Sequence, residues 1–113
     1  MLGIFIYMKF VITEDKRERL IDKYLLDEYG GLIRVDEKRL NFIFFLKDNG
    51  KDELTSNDII FNYDTESQTA MISWDMVDSI RIFTGNEWES EQFVKRWLKK
   101  TYGVNVTKLY RKY

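Results

Sequence analysis

The sequence predicts an α+β fold: a single, mostly antiparallel sheet with two amphipathic helices packed on one face. Three observations predict it. Apolar residues recur at helical spacing near residues 14–29 and 86–102, the stretch between alternates with a period of two, and Gly, Asn and Asp punctuate the joins. With 113 residues the chain has room for one domain, 1–113, and its 44% hydrophobic and 16% aromatic content is ample for a core. The same order of elements also fits a small closed barrel of the Sm-like or SH3-like kind with flanking helices.

The opening MLGIFIYMKFVITED reads as a strand, because Ile4, Phe5, Ile6, Tyr7, Phe10, Val11 and Ile12 are β-branched or aromatic. No basic residue precedes this apolar run and no Ala-x-Ala pattern follows it, so a secretion signal is not expected. Leu2 to Ile12 is also shorter than the about 20 apolar residues of a membrane helix, and it contains Lys9. A cytoplasmic protein without membrane contact is expected. Met8 is as good a start as Met1.

Thr13 is the expected cap of the first helix, with Glu14 and Asp15 in the first turn, where the helix dipole favours negative charge. Leu20, Ile21, Tyr24, Leu25 and Tyr29 share one face, and Gly30-Gly31 offers the positive φ that ends a helix. From Leu32 to Phe83 strands are expected. Leu40, Phe42, Phe44 and Leu46 form a wholly apolar side, opposite the partly polar Asn41, Ile43, Phe45 and Lys47. Asp48-Asn49-Gly50 reads as a tight turn. Ile59, Phe61 and Tyr63 and then Ala70, Ile72 and Trp74 flank a second turn at Asp64 to Gln68; Ile80, Ile82 and Phe83 suggest another short strand. Asn86 and Glu89 stand at capping-box spacing before a helix whose apolar half is Phe93, Val94, Trp97, Leu98, Thr101 and Tyr102. Gly103 ends it, and Val104 and Val106 begin a last strand.

The composition narrows the chemistry. There is no cysteine, which removes disulfides, thiolate nucleophiles and thiolate metal ligands, and no histidine, which removes the usual base near neutral pH. Triads of the Ser-His-Asp or Cys-His type cannot form within this chain. Neither glycine pair follows a phosphate-loop pattern. No catalytic residue, metal ligand, cofactor or small-molecule substrate is assigned, and the chain is expected not to be an enzyme.

Charge is more informative. From Gln92 onward there are seven Lys and Arg and no acid, although the whole chain is near neutral at −1. Lys95, Arg96, Lys99 and Lys100 occupy the outer half of the second helix, with Trp88 projecting beside Lys95 and Lys99, and Tyr110 follows in the last strand. Cations interleaved with aromatics suit phosphate contact plus base stacking, or an anchor in a protein interface. They are also the ordinary solvated side of an amphipathic helix. Asp58, Asp64, Asp75 and Asp78 near the ends of the central hairpin, with Asp36-Glu37-Lys38 as an acid-x-lysine strand, suggest a metal-dependent nuclease, but acids gather at turns for local hydrogen bonding.

The run Met8-Lys9-Phe10-Val11-Ile12-Thr13-Glu14 before an amphipathic helix resembles the openings of small uncharacterised proteins from marine bacteriophages. The close Trp97-Leu98-Lys99-Lys100-Thr101-Tyr102-Gly103-Val104 is similar to ends found among them. That resemblance implies a phage or metagenomic source and an intracellular setting, and carries no activity. The expected function is a non-enzymatic binding or assembly protein acting through protein–protein contact, as a homo-oligomer or with another protein. A nucleic-acid-binding protein using the basic carboxy-terminal helix and strand is the alternative, and a carboxylate-metal nuclease the third reading.

Overall fold

The computed structural model describes residues 5–7, 10–12 and 14–113, with side chains from Glu14 onward. Strands β1 (Phe5–Tyr7) and β2 (Phe10–Ile12) pair antiparallel, Phe5 opposite Ile12 and Tyr7 opposite Phe10. The opening stretch, expected as one strand, is thus a small hairpin. Because its backbone groups bond to one another, it stands as a two-stranded ladder apart from the main sheet. Ile4, Met8 and the expected cap Thr13 lie outside the described residues.

Helix α1 (Glu14–Tyr29) buries one i, i+4 row: Arg17, Ile21, Leu25 and Tyr29. Leu20, expected on that face, is exposed, and Tyr24 is half-buried. Neither Gly30 nor Gly31 has the positive φ expected of it; among the described residues the glycines that do are Gly50, Gly85 and Gly103. Gly30 is required for space instead, since a Cβ there would lie 2.3 Å from the Leu26 carbonyl oxygen.

The main sheet contains β3 (Ile33–Glu37), β4 (Phe42–Leu46), β5 (Ile59–Asp64), β6 (Thr69–Ile72) and β7 (Lys108–Arg111), adjacent in that order. Every pair is antiparallel except β6–β7. The sheet is open, with β3 and β7 at its edges, so the closed-barrel alternative is wrong. A helical layer covers one face, and no curling is needed to bury it.

On the covered face Phe45, Phe61 and Ile72 form one row across the strands, and Ile43, Tyr63, Ala70 and Leu109 the next. The wholly apolar side of β4 is not the one that supplies most of its core residues. Ile43 and Phe45 enter the core, while Phe42 and Phe44 are half-buried on the other face. With apolar residues on both sides, alternation cannot choose; pairing with Phe61 and Tyr63 does. A register shift at Phe45/Leu46 buries Leu46 as well.

Asp48-Asn49-Gly50 is not a two-residue hairpin turn but part of a longer loop, residues 47–58, closed by a 3-10 turn at Ser56–Asp58. Asp48 Oδ1 accepts from Gly50 N at 2.9 Å and Asn49 Oδ1 from Lys51 N at 2.8 Å, the local bonding that draws Asx residues into loops. The Asp64–Gln68 turn forms as expected, with Asp64 Oδ1 accepting from Glu66 N at 2.9 Å.

Ile80, Ile82 and Phe83 are not a strand. Two one-turn helices, α2 (Asp75–Asp78) and α3 (Arg81–Thr84), fill this crossover, and Ile80 between them is fully buried. A further strand would need a free edge beside β6, and β7 takes it. Helix α4 (Glu87–Tyr102) buries Phe93, Val94, Trp97 and Leu98, and Gly103 ends it at φ 72°. Val104 and Val106 are buried in the lead-in rather than in β7 itself. The crossover through α2, α3 and α4 is what lets β7 lie parallel to β6.

The aromatic centre explains why α4 docks where it does. Phe45 and Phe61 stack at 4.2 Å, and Tyr102 leans on both at 4.9 and 5.7 Å with Trp97 edge-on at 5.8 Å. The Tyr102 hydroxyl donates to the Tyr29 carbonyl and accepts from Leu32 N, tying the ends of α1 and α4 together.

Candidate partner-binding surfaces

Two surfaces carry the residues singled out from the sequence, and they lie on opposite sides of the sheet. The first is the outer side of α4. Asn86 starts the helix, its Oδ1 accepting from Glu89 N at 2.7 Å. The reciprocal half of the capping box does not form, because the Glu89 carboxylate turns to Arg17 at 3.0 Å. Trp88, the second residue of the helix, is 69% exposed and does not fold over the core edge. Lys95 is half-buried, while Arg96, Lys99 and Lys100 are exposed. This basic face is partly neutralised from within: Arg96 lies over the Phe93 ring at 4.5 Å, and Lys100 Nζ is 3.5 Å from Asp22 of α1. The cleft between the helices is lined by both signs of charge, Glu18 and Asp22 against Arg96 and Lys100.

Tyr110 does not join them. Its neighbour Leu109 packs against the core, and strand alternation sends Tyr110 to the face away from the helices. There the register sets a row across all five strands: Val35, Phe44, Asn62, Met71 and Tyr110. Its two ends are open, Val35 at 45% and Tyr110 at 47% exposure, and Phe44 and Met71 are half-buried. At the middle, Asn62 is buried and its Oδ1 finds no hydrogen-bond partner. An unpaired buried acceptor costs about 1–3 kcal/mol, and this one lies beneath the surface between the half-buried Phe44 and Met71.

The β3 edge adds charge. Arg34 Nε and Asp36 Oδ1 are 2.8 Å apart on the exposed edge strand. The Arg34 hydrogen bond holds the Asp36 carboxyl below its ordinary value. Asp36 and Glu37 belong to this strand rather than to a turn, which begins after them. Of Asp58, Asp64, Asp75 and Asp78, all but Asp75 are engaged locally. Backbone N–H groups, first that of Glu66, lower Asp64; Asp58 accepts from Thr55 N at 2.8 Å; Asp78 pairs with Arg81 at 3.5 Å. Among the described residues no three metal-ligating side chains converge.

The sequence reading missed Arg17. It is buried on α1, 3.5 Å from Glu14 and 3.0 Å from Glu89, and reaches the Phe83 carbonyl at 3.5 Å. Its position four residues before Ile21 on the core row was the available signal. Val35, Asn62 and the Arg34–Asp36 pair were missed too, because only the strand register brings them onto shared surfaces.

No protein-family model, curated protein or solved structure matches this chain. No helix among the described residues is long and apolar enough to cross a membrane.

Proposed function

We propose that the chain is a non-enzymatic assembly protein, phage-encoded as its resemblance implies, that works by protein–protein contact and takes a second copy of itself as partner. The carrying observation is the set of apolar side chains on the helix-free face of the sheet, exposed at Val35 and Tyr110 and half-buried at Phe44 and Met71. Contiguous apolar surface outside the core marks contact sites. The lack of imidazole and thiol groups and the local engagement of Asp58, Asp64 and Asp78 support a role without bond chemistry.

Sedimentation equilibrium and light scattering test this. The expected result is a mass that rises from monomer toward dimer as concentration increases from about 10 µM to about 1 mM, the range suited to a small interface. A constant monomer mass throughout would overturn it.

One observation favours the nucleic-acid reading as the second choice. Lys108 and Lys112 flank exposed Tyr110, an aromatic between two cations. Single-stranded DNA titrated at low salt would then bind, and binding would fall steeply with added salt. No binding at low salt ends that alternative.

A further inference from the structure

We infer that the second copy joins through β3, edge to edge and antiparallel, with the two-fold axis at Val35. This inference rests on the self-assembly reading above and names its contact.

An edge strand exposes a row of unpaired backbone donors and acceptors, and proteins usually guard such edges with charged side chains, Lys above all, with Pro or with a bulge. Strand β3 carries the charges Arg34, Asp36 and Glu37, but they are of both signs and so are able to pair with those of a second copy. Ile33–Glu37 contains no Lys or Pro, and its five residues pair with β4 in unbroken register, from Ile33 opposite Leu46 to Glu37 opposite Phe42. Ile33 and Val35 are 36% and 45% exposed along it. The other edge is guarded. In β7 the charges are all basic, and a second antiparallel copy with its axis at Tyr110 would set Lys108 opposite Lys112, cation against cation.

The sequence Ile-Arg-Val-Asp-Glu selects its own register. In a continuous sheet of two antiparallel copies, paired residues must have side chains on the same face, so the axis can sit only at a residue. Placed at Val35, it sets Arg34 opposite Asp36 of the second copy and Asp36 opposite Arg34. The two internal 2.8 Å pairs then become one alternating cluster of four charges. On the other face Val35 meets Val35, joining the two apolar rows into one. Moving the axis to Arg34 would oppose two arginines, and moving it to Asp36 would oppose two carboxylates. Of the registers centred within β3, only Val35 sets Arg34 and Asp36 opposite each other without opposing like charges, with Ile33 opposite Glu37 at either end.

Charge complementation in the full chain tests the assignment. Arg34→Asp alone and Asp36→Arg alone each place like charges across the axis, so each should dimerise at least about tenfold more weakly than the wild type. Mixed in equal amounts, they should recover the wild-type dimer as a heterodimer. The double swap R34D/D36R should dimerise like the wild type. Val35→Lys, at an exposed position the fold tolerates, should abolish the dimer. Circular dichroism reports that each variant is folded.

If the wild type dimerises and both single swaps and Val35→Lys do so equally well, the edge assignment falls while self-assembly stands; Tyr110→Lys should then be the disruptive change. Failure of the mixed swaps to recover a dimer, or growth past a dimer in the wild type, also overturns the assignment. A monomeric wild type removes the self-assembly reading itself, and the edge with it.

Discussion

Gly30 shows how one residue is chosen by contact rather than by conformation. Its N–H donates to the Leu26 carbonyl at 2.8 Å, and the space a Cβ would need holds that same oxygen. Gly31, the next residue, has nothing within 4 Å of such a position. Gly30→Ala is therefore expected to cost about 1–3 kcal/mol by forcing the helix end to shift, as overpacking does. Gly31→Ala should be neutral or slightly stabilising, by up to about 1 kcal/mol, through a less flexible unfolded chain. Urea unfolding of the two variants side by side checks the contrast, and equal effects would refute it. The Thr84 and Ser90 hydroxyls show the complementary case. They are 2.6 Å apart in a buried site and each lies 3.0 Å from the Asn86 carbonyl, so one hydroxyl donates to the other and the second donates to the carbonyl, leaving the polar pair satisfied where α3 meets α4.

At the scale of elements, α4 depends on its ends as much as on its apolar stripe. Asn86 satisfies one of the orphan N–H groups of the first turn, and Gly103 turns the chain toward Val104. Asn86→Ala should destabilise the protein by about 1 kcal/mol, read as a lower urea midpoint at unchanged slope. Helix α4 was legible in the sequence from cap to stop because all its signals agree. The segment 75–84 was not: its apolar residues suit a short strand as well as two helical turns, and only the occupied edge of β6 excludes the strand. Strand β4 was ambiguous for a related reason. Five apolar residues in succession, Phe42-Ile43-Phe44-Phe45-Leu46, contain no polar residue to mark the solvent side.

For the whole molecule, the junction of the two long helices with the sheet governs stability at high pH. Burial, reinforced by Tyr24, Asp75 and Glu28, pushes the Tyr29 phenol from 10.0 up to about 12. Burial also raises Tyr102, against the lowering effect of the Leu32 N–H, and raises Tyr63, whose hydroxyl donates to the Asn105 carbonyl at 2.9 Å. A phenol held neutral in the fold but free to ionise in the unfolded chain stabilises fully below pH 10, the unfolded value. That contribution is lost as pH rises from 10 through about 12. The urea midpoint should fall across this window, and Tyr29→Phe should make the fall shallower. An unchanged slope in that variant would show that Tyr29 is not responsible.

The candidate site divides between scales. Exposed Trp88 and the cations of α4 could be read from helical spacing, which relates only residues three and four apart on one element. Tyr110 could be named but not placed, because the face a strand residue occupies depends on partners distant in the chain. Arg34, Val35, Asp36 and Asn62 look ordinary in sequence, and pairing alone gives them neighbours.

By itself, the sequence determined the class of fold, the positions of both long helices, the Asp64–Gln68 turn and the lack of imidazole and thiol chemistry. Each follows from residue type or from spacing within a few residues. Only the tertiary structure decided which side of β4 is buried, that the opening stretch is a separate hairpin, that Tyr110 and the α4 cations face opposite ways, and that β3 is an edge of the sheet. Those outcomes depend on which distant backbone groups bond to which, and local patterning is nearly the same whichever way that pairing falls.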